Sequence, residues 1–146
     1  MIKSLSFIFG SKTKAQEIVF LLHGAKAVVR QGFYDTELPR LEKFCQEHNI
    51  HFVKSKFKVL LADETKYSNK GIRIPEEDKR LGMYFVYLSQ DEQKVWLAAY
   101  YELINNTSDL GLLLGYPQCC VDFFHQHFSD NNPDLEIAFR YTSFAV

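Results

Sequence analysis

Hydrophobic positions in the first part of the chain alternate between short apolar runs and segments with helical spacing. Residues 5–9 form an apolar run that stops at a glycine, which predicts a short buried strand. Ser11 then precedes apolar residues that recur on one face of a helix, so we expect Ser11 to cap a helix. Residues 25–30 predict a second strand, followed by a turn at residues 31–32.

The same pattern continues to about residue 90 and then changes. A helix is predicted at residues 36–48, and strands are predicted at residues 51–54, 57–62, 72–74 and 83–88. Ser89 and Glu92 have the spacing of a capping box, which predicts that a helix begins there. Only helical patterns follow, beginning near Thr107, Pro117 and Pro133.

This order of elements predicts an α/β or α+β fold, a small sheet with packed helices followed by a helical C-terminal region. The chain has 146 residues, so we expect a single domain, with a strand–helix part at residues 1–88 and a helical part at residues 89–146. Hydrophobic residues make up 47% and charged residues 24%, a globular composition that excludes intrinsic disorder.

Composition also restricts location and partners. No apolar run reaches the roughly 18 residues of a membrane-spanning helix, and the apolar start is too short for a secretory signal. Three cysteines are too few for a disulfide scaffold. We therefore expect a cytoplasmic protein without membrane contact.

Charge is distributed unevenly along the chain. Residues 1–80 hold 15 basic and 10 acidic side chains, whereas residues 81–146 hold 2 basic and 8 acidic ones. The most basic stretch, residues 54–80, has an excess of only three positive charges, which the solvated face of a strand explains. We therefore do not expect a nucleic-acid partner. The sequence is compatible with an unidentified protein partner.

Candidate chemistry is concentrated in residues 112–127, which hold two of the three cysteines and two of the five histidines. Thiolate and imidazole are preferred ligands of zinc and of several redox metals. The candidate metal ligands are therefore Cys119, Cys120, His125 and His127, with zinc or iron as the expected metal. Cysteines at a helix start also tend to have a lowered thiol pKa, because exposed helical amides favour the thiolate.

Helical geometry favours a second interpretation of the same segment. Neighbouring helical residues point about 100° apart, so Cys119 and Cys120 cannot both face one ion on a regular helix. Both cysteines would then be small core residues, at a corner where Gly115 ends one helix and Pro117 begins the next. A complete metal site would need ligands from another chain or from elsewhere in this one. The candidates in this chain are Cys45, His23, His48 and His51.

The segment also contains an unusual string of eleven residues. It reads Leu114-Gly115-Tyr116-Pro117-x-Cys119-Cys120-Val121-x-Phe123-Phe124. This string resembles the signature of an uncharacterised archaeal and bacterial family, catalogued as domain of unknown function 483. The resemblance implies no particular activity, but it marks Tyr116 and Pro117 as cofactor-binding candidates beside the two cysteines. It also implies that fuller relatives carry further cysteines after the position of Val146.

Three functions are open on these grounds. The first is a metal-binding or thiol-redox accessory module centred on Cys119 and Cys120. The alternative is a protein–protein interaction module with structural cysteines and no catalysis, favoured by an aromatic content of 15% and predicting an exposed aromatic patch. The third is an enzyme with a cysteine nucleophile, which needs a histidine base from outside the segment, such as His23.

Overall fold

The structure is a computed structural model that describes residues 2–61 and 71–127, in which six α-helices and five strands are present. The helices are α1 Ile2–Phe9, α2 Lys12–Leu22, α3 Leu38–Glu47, α4 Glu92–Leu103, α5 Thr107–Leu113 and α6 Gln118–His127. The strands are β1 Val29–Phe33, β2 His51–Lys54, β3 Phe57–Leu61, β4 Gly71–Pro75 and β5 Tyr84–Ser89. The predicted mixed α/β class is confirmed.

The central sheet is antiparallel, with the strand order β1-β5-β2. β1 pairs with β5 so that Val29 lies opposite Leu88, and β2 pairs with β5 so that Val53 lies opposite Tyr87. β3 and β4 form a separate antiparallel pair, which an isolated bridge between Val59 and the residue before β5 connects to the central sheet. β5 is therefore the central element of the molecule.

The central sheet separates two apolar layers. One face packs against α1, α2 and α3, with Val86 and Leu88 of β5 in this cluster. The other face packs against α4 and α5, with Tyr87 in that second cluster. Because successive side chains of β5 enter opposite layers, residues 84–88 of this strand are all hydrophobic, a pattern typical of a strand buried on both faces. α6 packs on α5 at the outside of the second layer.

Residues 5–9, predicted as a strand, belong to helix α1. Leu5 and Phe9 are buried four residues apart on one helix face, whereas Phe7 between them is exposed. A short continuous apolar run has no period of its own, so it does not distinguish a strand from a helix that packs one face. The prediction was wrong because tertiary packing against α2 and α3 decided the conformation.

Two further predictions are corrected at the edges of the central sheet. Residues 31–32 form no turn, because Gly32 pairs with Phe85 inside β1 and lets the Met83 side chain approach closely. Ser89 does not cap α4, because its hydroxyl, which donates to the Ala27 carbonyl at 2.7 Å, accepts at 3.0 Å from the Asp91 amide, which precedes the helix. Asp91 is the N-cap, and its carboxylate accepts from the Gln93 amide at 3.0 Å.

Other boundaries agree with the sequence pattern. The Ser11 hydroxyl accepts from the Lys14 amide and caps α2, and Pro39 lies in the first turn of α3. No helix within residues 2–61 and 71–127 is long and apolar enough to cross a membrane. The helix predicted from Pro133 lies outside the described residues.

Candidate functional site

The corner between α5 and α6 positions the two cysteines. Gly115 follows α5 with a φ of 92°, a conformation that favours glycine. The Gly115 amide donates to the Leu112 carbonyl and the Tyr116 amide to the Gly111 carbonyl, both at 3.0 Å, which is the hydrogen-bond pattern of a Schellman motif. The chain then turns at Pro117 into α6, so the predicted Gly115–Pro117 corner is confirmed.

Cys119 and Cys120 lie in the first turn of α6, and both are exposed. The prediction that they are small core residues was wrong, because Val121 is the buried residue of α6 and only that side of the helix packs on α5. A hydrogen bond between the two side chains raises the pKa of the Cys120 thiol. The expected lowering of the thiol pKa is therefore reversed at Cys120, because the neighbouring thiol opposes its ionisation. We call Cys119 and Cys120 the thiol pair.

The thiol pair lies on the wall of an open cavity of about 640 Å³, which we call the α5–α6 cavity. This volume is within the range of roughly 300–1,000 Å³ that small-molecule sites occupy. Most of the wall is apolar and is formed by Leu110, Leu114, Val121, Phe123 and Phe124. Tyr116, one of the two predicted cofactor contacts, also lines the cavity. Pro117 is exposed beside it and is not part of the lining.

The predicted histidine ligands do not join the thiol pair. His125 is exposed on α6, and the His127 ring packs against Phe123 with 4.5 Å between ring centroids. Within the described ranges, no three His, Cys, Asp or Glu side chains are close enough to hold one metal ion. The described residues therefore bring no third candidate ligand to the thiol pair.

The other candidate ligands, all of which lie in the described ranges, do not complete that site either. Cys45 is buried in the layer of α1, α2 and α3, on the opposite face of the central sheet from α5 and α6. His48 stacks on Phe44 at 4.1 Å between ring centroids, and the His23 ring is hydrogen-bonded to the Val19 carbonyl. His51 is exposed on β2. The sheet thus separates Cys45 and His48 from the thiol pair.

A charged cluster that the sequence patterns did not indicate as a site contributes two residues, Arg30 and Glu102, to the lining of the same cavity. Glu102 of α4 is only 6% exposed, and its Oε1 accepts from Arg30 Nε and, at 2.8 Å, from the Tyr87 hydroxyl. Arg73 Nη2 donates to the Glu102 carbonyl at 2.7 Å and lies 3.8 Å from Oε2. Burial and the nearby carboxylate raise the pKa of Tyr87, so this hydroxyl stays protonated and donates. We call Glu102, Arg30, Arg73 and Tyr87 the Glu102 cluster.

One sequence signal could have located this cluster. Val95, Ala98 and Glu102 occupy the same face of α4, and the first two are fully buried. An acidic residue on an otherwise apolar helix face indicates a buried carboxylate, which requires a positively charged or hydrogen-bonding partner. The identity of those partners is not readable from the helix, because they lie on strands far away in the sequence.

The opposite side of α4 carries an exposed apolar stripe, formed by Trp96, Tyr100 and Leu103, which we call the α4 stripe. Trp96 is 56% exposed and Tyr100 is 55% exposed. The three side chains border a shallow cavity of about 220 Å³, together with Phe57 and the end of β2. An exposed aromatic patch was the predicted feature of an interaction module.

Comparison with protein-family models, with curated proteins and with solved structures finds no match to this chain. The resemblance of the Gly115–Phe124 string to the domain of unknown function 483 stays a prediction.

Proposed function

We propose that this chain is a metal-binding accessory module, in which the thiol pair supplies two sulfur ligands to zinc or iron. The observation that supports this proposal best is that both thiols are exposed, in contact with each other and open to a cavity. Buried structural cysteines would not be accessible to a metal. Thiol-redox exchange with a partner is the second chemistry that the same pair supports.

Two sulfur ligands leave the coordination shell of zinc or iron incomplete, since these metals usually take four ligands in such sites. The remaining ligands would come from a bound small molecule, from a second protein or from parts of the chain outside the described residues. Tyr116, at the edge of the cavity, is then placed to contact whatever completes the shell. The resemblance to the uncharacterised family concerns the same four residues, Tyr116, Pro117, Cys119 and Cys120, and is consistent with this proposal.

Metal content is the measurement that tests the proposal. Protein purified without affinity metals and under exclusion of air is expected to hold about one equivalent of zinc or iron per chain, because thiolates are preferred ligands of both metals. A Cys119→Ser/Cys120→Ser variant should lose it, whereas the matched control Cys45→Ala should retain it. Absence of metal in the wild-type protein, or equal metal in the double serine variant, would reject metal binding by the thiol pair.

A second candidate function is a protein–protein interaction module with structural cysteines and no catalysis. The α4 stripe supports it, since exposed aromatic side chains are enriched at partner surfaces. The exposure of the thiol pair counts against it, because that hypothesis expects buried and unreactive cysteines. A cysteine nucleophile finds less support, since it needs a histidine base and the candidate base His23 follows α2, in the other layer.

A further inference from the structure

The α5–α6 cavity has apolar walls and one charged end. Leu110, Leu114 and Val121 contribute apolar side chains to the wall, and Arg30 and Glu102 contribute the charged groups. A cavity of this kind accommodates a ligand that has an apolar body and one charged group. The sign of that group depends on how the charges of the Glu102 cluster are balanced.

The Glu102 cluster carries an excess of positive charge. Two guanidinium groups, those of Arg30 and Arg73, share the single carboxylate of Glu102, and Tyr87 is neutral because its pKa is raised. The cluster therefore has a net charge of +1. Positive charge beside an apolar wall attracts an anion and disfavours a cation.

Arg30 is the member of the cluster that is available to a ligand. Its Nε donates to Glu102, and one face of its guanidinium packs on the Phe85 ring, with 3.9 Å from Cζ to the ring centroid. In the described part of the chain, Arg30 hydrogen-bonds to Glu102 and also to the Tyr87 hydroxyl, which leaves N–H groups of its terminal nitrogens as donors, since a guanidinium has five. The Arg30 side chain is 31% exposed and lines the cavity, so these donors are open to solvent or to a ligand. The ion pair and the ring hold the guanidinium plane in a fixed orientation, which favours recognition of a planar carboxylate.

We propose that the α5–α6 cavity binds an amphipathic monocarboxylate, whose carboxylate pairs with the terminal nitrogens of Arg30 and whose apolar body packs on the walls formed by α5 and α6. A monoanion fits better than a phosphate dianion, because the net charge of the cluster is +1 and the Glu102 carboxylate repels a second negative charge. This inference goes beyond the proposed metal site, since it uses the Glu102 cluster and does not require metal on the thiol pair.

Calorimetric titration with dodecanoate and with dodecan-1-ol tests the proposal, because these probes share an apolar chain and differ in the charge of the head group. The wild-type protein should bind dodecanoate about tenfold more tightly than dodecan-1-ol, the effect expected of one charge-assisted hydrogen bond. An Arg30→Gln/Glu102→Gln variant removes the guanidinium and its buried partner together, so that no buried charge is left unpaired. It should bind both probes with equal affinity, because the positive charge that remains in the cluster, on Arg73, does not line the cavity.

The matched control is Arg40→Gln, which removes the same charge from α3 in the other layer of the fold and should keep the preference for dodecanoate. Equal affinity of the wild-type protein for the two probes, or binding of neither, would overturn the proposal. A preference for dodecanoate that persists in Arg30→Gln/Glu102→Gln would also overturn it. Metal content is determined in the same samples, and the preference for dodecanoate over dodecan-1-ol is expected whether or not metal is bound. Failure of the carboxylate proposal is therefore distinguishable from failure of the metal proposal.

Discussion

Cysteine side chains in this protein occur in two opposite environments. Cys45 is 2% exposed and packs in the layer of α1, α2 and α3, whereas Cys119 and Cys120 are exposed at the start of α6. Burial, with a smaller contribution from Glu42, raises the pKa of Cys45 to about 12. The Cys45 thiol therefore ionises only at a much higher pH than a cysteine thiol in water. We expect thiol reactivity in the native chain at the thiol pair and not at Cys45.

Thiol labelling with a disulfide reagent at about pH 8 should separate these environments, because only an accessible thiolate reacts. Two thiols per native chain are expected to react quickly, and the third only when the chain unfolds. A Cys119→Ser/Cys120→Ser variant should show the slow reaction alone, and Cys45→Ala the fast reaction alone. Three thiols with one common rate in the native protein would show that Cys45 is not protected as described.

At the scale of elements, the corner between α5 and α6 determines where the thiol pair lies. α6 follows α5 directly, and the Schellman motif at Gly115 sets the direction in which the chain leaves α5. Gly111 allows close contact between the two helices, since a Cβ at that position would lie 3.1 Å from Val121 Cγ2. Both glycines therefore contribute to the position of the first turn of α6 against the cavity.

Substitution of Gly115 tests the contribution of this corner. Gly115→Ala should lower the free energy of unfolding by about 1 kcal/mol, because the positive φ is unfavourable for a residue with a Cβ and no neighbouring atom offers compensating contact. Gly115→Asn should cost less, since asparagine tolerates positive φ better than alanine. Urea denaturation measures both, and equal stability of Gly115→Ala and the wild-type protein would contradict the described geometry.

At the scale of the whole molecule, Glu102 connects elements that are distant in the sequence. Its carboxylate accepts from Arg30 on β1 and Tyr87 on β5, both in the central sheet. Its backbone carbonyl accepts from Arg73 on β4, in the second sheet. α4 therefore joins the two sheets through one residue, and the same residue defines the charged end of the α5–α6 cavity.

Arg30→Gln should lower the free energy of unfolding by about 2 kcal/mol, because it leaves a buried carboxylate with one charged donor fewer. The partial exposure of Arg30 keeps this loss below that of a fully buried pair. A second substitution, Glu102→Gln, removes the unpaired carboxylate charge and should recover most of the free energy of unfolding that Arg30→Gln loses. Urea denaturation of the single variants and the double variant measures the coupling. Additive effects of the two substitutions would mean that the pair does not interact.

The sequence predicted the elements well where the signal was local. Ser11 as a cap and the α5–α6 corner at Gly115 and Pro117 were both identified, because caps, prolines and positive φ act within a few residues. Residues 5–9 were predicted wrongly, since an apolar run without a period is compatible with both a strand and a helix. The prediction that Ser89 caps α4 was wrong. The Ser89 side chain is held by a hydrogen bond to the Ala27 carbonyl, a long-range contact that no local pattern predicts.

For the candidate site, the sequence by itself determined which residues have the chemistry of a metal site and that they lie at a helix corner. Residue type and short-range backbone preference are enough for that conclusion. Only the tertiary structure decided that the thiol pair is exposed, that Cys45 and His48 lie across the sheet from it, and that Glu102 is paired with Arg30. Arg30 and Glu102 are 72 positions apart, so their contact exists only after β1 and α4 have packed together. Burial depends on which faces of the elements meet, and that is a property of the folded chain as a whole.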